Sequence, residues 1–206
     1  MNLLDELLAR YVTAPMSEAG FHRAGRTYTA GSPRRDTVLV QVRPYGLSGS
    51  EGGFHIEWAA IPAAAHDYYR EENPGAAPDV TWGVVSGRVV VPERLRRRVY
   101  ETTLWTFRAA DLDTFGAAVG EHLKSLVIPK WPPLLSPDRL AAALTHPELT
   151  THDFSIPLHP VAKRLVIYID SGDAAVLRRQ LDEAEELLPG EEWIPWLRNR
   201  LANRSR

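Results

Sequence analysis

The chain has 206 residues, 44% of them hydrophobic and 24% charged, which is enough apolar material to bury the core of one globular domain. A formal net charge of −2 argues against a protein whose binding is dominated by attraction to nucleic acid or to an anionic membrane. The absence of cysteine excludes disulfide bonds, a thiolate nucleophile and a cysteine-ligated metal site.

The N-terminal segment "MNLLDELLARYV" has apolar residues at helical spacing and acidic residues in its first turns. We expect a helix that ends around Pro15, with Gly20 as a firm stop. The segment lacks the basic start and continuous apolar core of a signal peptide, and no uncharged apolar run approaches the roughly 20 residues that span a bilayer. These features predict a cytoplasmic protein.

The next part of the chain reads as strands joined by short Gly, Ser and Pro links, without long helices between them. "FHRAGRTYTAG", "TVLVQVRP" and "FHIEWAAIP" each have strand composition, and a short helix fits after Pro62. "VTWGVVSGRVVV" is a fourth strand with a bulge or bend at Ser86–Gly87, and a fifth is expected at about Glu101–Arg108. This order is typical of an antiparallel meander.

From Ala109 onward the pattern changes to helices. Leu112, Phe115, Val119 and Leu123 recur at helical spacing and indicate an amphipathic helix over about residues 110–126. Four shorter helical patterns follow it. The sequence therefore predicts an α+β fold, in which a sheet of about five strands packs against the first helix and the 110–126 helix. We expect one domain over residues 1–131 and an all-helical extension over residues 132–206 that packs on it.

Polar side chains alternate with apolar ones on two of the predicted strands. His55 and Glu57 share one face of the third strand, since residues two apart on a strand point the same way. Gln41 and Arg43 fall on the same face of the neighbouring strand, and Arg88 joins them from beyond the predicted bend. This set fits an anion-binding site, or a histidine held for acid–base work. It fits equally well the solvated side of a half-buried sheet.

Three further patterns have both a functional and a structural interpretation. The run "RLRRR" over residues 94–98 fits a phosphate site, but Glu93 and Glu101 flank it and favour a solvated segment. A loop group of His146, Glu148, His152 and Asp153 has the best metal-ligand composition, although it lacks the helical spacing of a zinc hydrolase. Trp193 and Trp196 either dock the last helix or form an exposed partner site.

A series of short motifs in a fixed order resembles an uncharacterised bacterial family known as domain of unknown function 4304. The resemblance covers about residues 3–131 and is carried by Gly20, Phe21, Arg23, Gly25, Tyr28, Gln41, Gly87, Arg88, Trp105, Pro129 and Trp131. Trp82 and Gly83 depart from the family pattern, which has a Cys-His or similar pair there. The resemblance implies the fold and implies no activity, because none is attached to the family.

No nucleophile, metal or cofactor signature stands out, so we assign no catalytic residue, no metal ligand and no cofactor. The first hypothesis is a non-catalytic protein-interaction or regulatory module with an unidentified protein partner. The alternative is a binder of small anions, or an enzyme, that uses the face around Gln41, Arg43, His55, Glu57 and Arg88. Binding of nucleic acid or of a membrane is not expected.

Overall fold

The computed structural model describes residues 2–32, 34–46, 51–97, 101–145 and 159–204. One antiparallel sheet contains strands β1 (His22–Ala24), β2 (Thr27–Gly31), β3 (Thr37–Tyr45), β4 (Glu51–Ile61), β5 (Val85–Arg88) and β6 (Trp105–Arg108). The helices are α1 (residues 3–18), α2 (Ala63–Glu72), α3 (residues 112–127), α4 (Pro137–Ala143), α5 (Pro160–Tyr168), α6 (Ala174–Leu187) and α7 (Trp193–Asn203). The predicted α+β fold, with an antiparallel meander and C-terminal helices, is confirmed.

Strand β4 lies at the centre of the sheet. Strands β1 to β5 are neighbours in chain order, and β3 pairs with β4 along residues 53–61. β5 and β6 share the opposite edge of β4, where they pair with residues 57–60 and 51–54 respectively. Alternate side chains of β4 therefore point to opposite faces of the sheet, and the residue at each position decides whether that face carries an apolar or a polar group.

One face of the sheet carries the main hydrophobic core. Phe54, Ile56 and Trp58 are buried, as their alternation with polar residues predicted, and they lie beside Pro44, Val42 and Val40 of β3. Helix α3 packs on this face, where the rings of Phe107 and Phe115 stack at 5.7 Å. Burial of each large apolar side chain contributes about 2 kcal/mol, which is why the alternation fixes the orientation of the strand.

Helix α1 continues past the predicted end near Pro15 and stops only at Glu18. The reason is a wider π-helical turn over Leu8–Val12, in which the Thr13 hydroxyl donates to the Leu8 carbonyl at 2.9 Å. A proline clashes with the carbonyl four residues earlier in a regular α-helix, and a wider turn relieves that clash. Gly20, at a φ of +86°, provides the predicted stop.

Three strand predictions need correction. The segment "FHRAGRTYTAG" is a hairpin of β1 and β2 rather than one strand, because the chain reverses at Gly25, whose φ is +62°. Ser86 and Gly87 pair in regular register with Ala59 and Trp58, so the predicted bulge is wrong. β6 begins at Trp105 rather than Glu101, after a turn that precedes it.

The C-terminal helices pack on α2, at the end of the sheet where β4 finishes. Trp193 is buried, and the Trp196 indole N–H donates to Glu71 of α2 at 2.7 Å, which confirms the docking interpretation of these tryptophans. Arg200 donates to Asp170 at 2.6 and 2.7 Å and to Asp67 of α2 at 2.9 Å. The buried apolar residues on both sides of residue 131 belong to one cluster, so the extension and the sheet share a core.

Candidate functional site

The structure brings all five predicted site residues together on the second face of the sheet. Gln41, Glu57 and Arg88 lie in one cross-strand row, and Arg43 and His55 lie in the adjacent row. We call these five residues the polar cluster. Its formation follows from the strand register, because residues opposite each other on neighbouring strands are about 5 Å apart.

Glu57 is the buried centre of the polar cluster. Only 3% of this residue is exposed, and its Oε1 accepts hydrogen bonds from Arg88 Nε at 2.9 Å and Arg88 Nη2 at 2.7 Å. Its other oxygen, Oε2, forms an ion pair with Arg43 Nε. A buried carboxylate is stable only with such partners, so both guanidinium groups serve to compensate the charge of Glu57.

Arg43 has further partners inside the protein. Its Nη2 donates to Asp79 Oδ2 at 2.8 Å and to Gln41 Oε1 at 3.1 Å. Asp79 precedes a 3-10 turn over Val80–Trp82 that packs against β3 and β4. The cations of the polar cluster are therefore matched by the acids around them, and an incoming anion has to displace an existing carboxylate.

His55 is held by the backbone and does not pair with Glu57. Its Nδ1 lies 2.9 Å from the Thr103 carbonyl oxygen, so Nδ1 carries the proton and donates it. Burial lowers the pKa of His55 below its ordinary value of 6.5. His55 is thus a neutral histidine with a backbone partner, and the neighbouring Glu57 is already bound by two arginines. Together they form a structural network rather than an acid–base pair.

The hydrogen-bond partners of the polar cluster outside its own strands lie within residues 1–131. They are Asp79, which binds Arg43, and the Thr103 carbonyl, which binds His55. The helical extension meets the sheet through residues 132–135, which contact β3, and meets α2 through α5.

A groove of about 340 Å³ lies on the opposite face of the sheet, at the edge beyond β4. One wall is the C-terminal end of α3 with the turn after it, and the other is the chain that continues from β5 to Pro92. Apolar lining comes mainly from Trp58, Val89, Val90, Leu126, Val127 and Trp131. Arg88 is the one residue that belongs to the polar cluster and also lines this groove.

The helical wall of the groove has an irregular backbone. Helix α3 is α-helical over Leu112–His122, becomes π-helical over Leu123–Val127, and is followed by a 3-10 turn over Ile128–Lys130. In this wall Leu126 is 58% exposed. The π-helical turn precedes Pro129, as the one in α1 precedes Pro15, so the same relief of a proline clash accounts for it.

The charged side chains around the groove are all basic. His122 and Lys130 line it, and the positive charge of Arg94 also acts on the His122 ring. Burial, with the nearby Arg94 and Lys130, lowers the pKa of His122 below 6.5. Within the described ranges, neither Arg94 nor Lys130 forms an ion pair, in contrast to the arginines of the polar cluster.

Sequence reasoning missed this groove because its residues are scattered. His122, Leu126 and Lys130 are single residues in and after a helix that was predicted only as a cover for the sheet. Leu126 continues the helical spacing of Leu112, Phe115, Val119 and Leu123, so the sequence carried no signal that this residue would be 58% exposed. Arg94 was noticed only as part of the basic run, of which Arg97 pairs with Asp111 and residue 98 lies outside the described residues.

The comparisons with known proteins give no relative: no family model, no curated protein and no solved structure matches the chain. The resemblance to domain of unknown function 4304 therefore stays a prediction. No described helix combines the length and the apolar composition that crossing a bilayer requires. The described residues contain no group of three or more potential metal ligands, and the loop group of His146, Glu148, His152 and Asp153 lies outside them.

Proposed function

We propose that this chain is a non-catalytic protein-interaction module and that the groove receives an exposed segment of a partner protein. The observation that carries the proposal is an open apolar groove with the exposed Leu126 on its wall, beside Arg94 and Lys130, which form no ion pair with any described residue. Apolar surface that stays accessible next to a groove is a common mark of a protein-binding site.

The chemistry of the groove favours binding over catalysis. Among the described residues that line it, His122 is the one imidazole and there is no hydroxyl or carboxylate side chain. In the described part of the chain, no side chain forms a hydrogen bond with His122, so nothing orients it as a general base. The polar cluster supports an anion-binding role less well, because Glu57 already binds both of its guanidinium groups.

Selection from a display library of random twelve-residue peptides tests the proposal. The unmodified protein is expected to enrich a family of peptides, and Leu126→Asp is expected to weaken their binding at least about tenfold, since it places a charge in the apolar wall. Leu187→Asp is the matched control, because Leu187 is 63% exposed on α6 and does not line the groove. Failure to enrich any peptide, or equal effects of the two variants, contradicts the proposal.

A further inference from the structure

The following inference rests on the proposed function and specifies the partner. We infer that the segment that enters the groove is an extended strand, that it pairs with the backbone of Val90, and that it carries an acidic side chain directed to Lys130. Two independent observations in the described part of the chain support this: an open sheet edge at Val90, and the basic side chains of Arg94 and Lys130, which form no ion pair there.

The open edge follows from the hydrogen-bond pattern after β5. The Val89 N–H donates to the Ile56 carbonyl of β4 at 2.9 Å. In an antiparallel pair the backbone groups of the next residue point away from the neighbouring strand, so those of Val90 point outward. Within the described part of the chain, the Val90 N–H and carbonyl have no hydrogen-bond partner, and no strand pairs with the outer edge of β5.

An edge of this kind is a template for one more strand. Val90 is 37% exposed, whereas Ser86, near the start of β5, is fully buried, so the accessible edge is short. Pro92 has no N–H and ends the edge on the other side. A partner segment of a few residues can therefore add its backbone here while its apolar side chains enter the groove, as extended peptides do at exposed sheet edges.

The charge of the partner segment follows from the rim. Lys130 and Arg94 are exposed and have no ion pair within the described ranges, and no acidic residue lines the groove. An acidic side chain in the partner gives these cations a counter-charge at little desolvation cost, because the rim remains partly solvated. A basic segment is disfavoured by the same charges, so the rim also selects against wrong partners.

Two changes to the selected peptides test the inference. Replacement of the acidic residue by its amide is expected to weaken binding about fivefold to tenfold to the unmodified protein, and to have little effect on binding to Lys130→Gln. Lys124→Gln is the matched control, since Lys124 is an exposed lysine of α3 that pairs with Glu18. N-methylation of the peptide backbone is expected to abolish binding at alternate positions only, because alternate N–H groups of a strand face the sheet edge.

The outcomes separate this inference from the proposed function. Peptides that bind in the groove but lack an acidic residue, or that tolerate N-methylation at every position, overturn the inference and leave the proposed function intact. A library that enriches no peptide overturns both. Equal effects of Lys130→Gln and Lys124→Gln on acidic peptides overturn the assignment of the acidic side chain to Lys130.

Discussion

The burial of Glu57 makes a quantitative prediction for Glu57→Gln. The amide keeps the shape of the side chain and one acceptor oxygen for Arg88, but it places an N–H₂ donor against the Arg43 guanidinium. A hydrogen bond to a charged group contributes about 1.5–3 kcal/mol, and breaking a buried ion pair costs about 3–5 kcal/mol. Arg43 is half exposed and keeps Asp79, so we expect the lower end of that range, about 3 kcal/mol.

Glu51→Gln is the matched control for this experiment. Glu51 lies on β4 as well, and its partner Arg108 is more than half exposed, so the loss of this surface ion pair should cost about 0.5 kcal/mol. Urea denaturation followed by circular dichroism measures the free energy of unfolding of both variants. A cost for Glu57→Gln that does not exceed that of Glu51→Gln refutes the reasoning that the polar cluster is a structural network.

Three further predictions concern packing, the helical extension and pH. Gly120→Ala should lower the free energy of unfolding by about 2 kcal/mol, because the added Cβ would lie 2.5 Å from the Tyr11 carbonyl oxygen. Gly46 has open space around its Cα, so Gly46→Ala should change the free energy of unfolding by less than about 0.5 kcal/mol. Arg200→Gln should lower the free energy of unfolding by about 2 kcal/mol, because the hydrogen bonds to Asp170 and Asp67 are lost. Arg178→Gln, on an exposed part of α6, should leave it almost unchanged. Equal effects of the two variants in urea titrations would contradict the role given to Arg200. Burial lowers the pKa of His55, His66 and His122 in the folded chain, so the unfolded chain binds more protons than the folded chain near pH 6. The free energy of unfolding should therefore fall as the pH is lowered from 7.5 to 5. A free energy of unfolding that does not change over this range would contradict these pKa shifts.

The sequence predicted those features that depend on local patterns. The alternation of Phe54, Ile56 and Trp58 placed β4 correctly because a slip by one residue would expose the whole apolar set. It also placed His55 and Glu57 on one face. The same pattern could not show that Glu57 is buried, because its burial depends on other segments: Arg88 binds it directly, and Asp79 binds its partner Arg43.

The features that the sequence did not predict depend on backbone irregularities. The π-helical turns over Leu8–Val12 and Leu123–Val127 each precede a proline, but a proline in a helical pattern usually predicts the end of the helix rather than a wider turn. The hairpin at Gly25 was readable in principle, since a glycine between two short runs of strand composition permits the positive φ that a tight turn needs. The groove required tertiary contacts that join β4, the end of β5 and the end of α3.

The most direct measurement of the central claim is the amide NMR spectrum of the protein during titration with an enriched acidic peptide. Interaction through the groove predicts that the shifts concentrate at Val89, Val90, Leu126 and Lys130 and leave Gln41, Arg43 and His55 unchanged. Shifts centred on the polar cluster, with the amides of the groove unchanged, would contradict the claim.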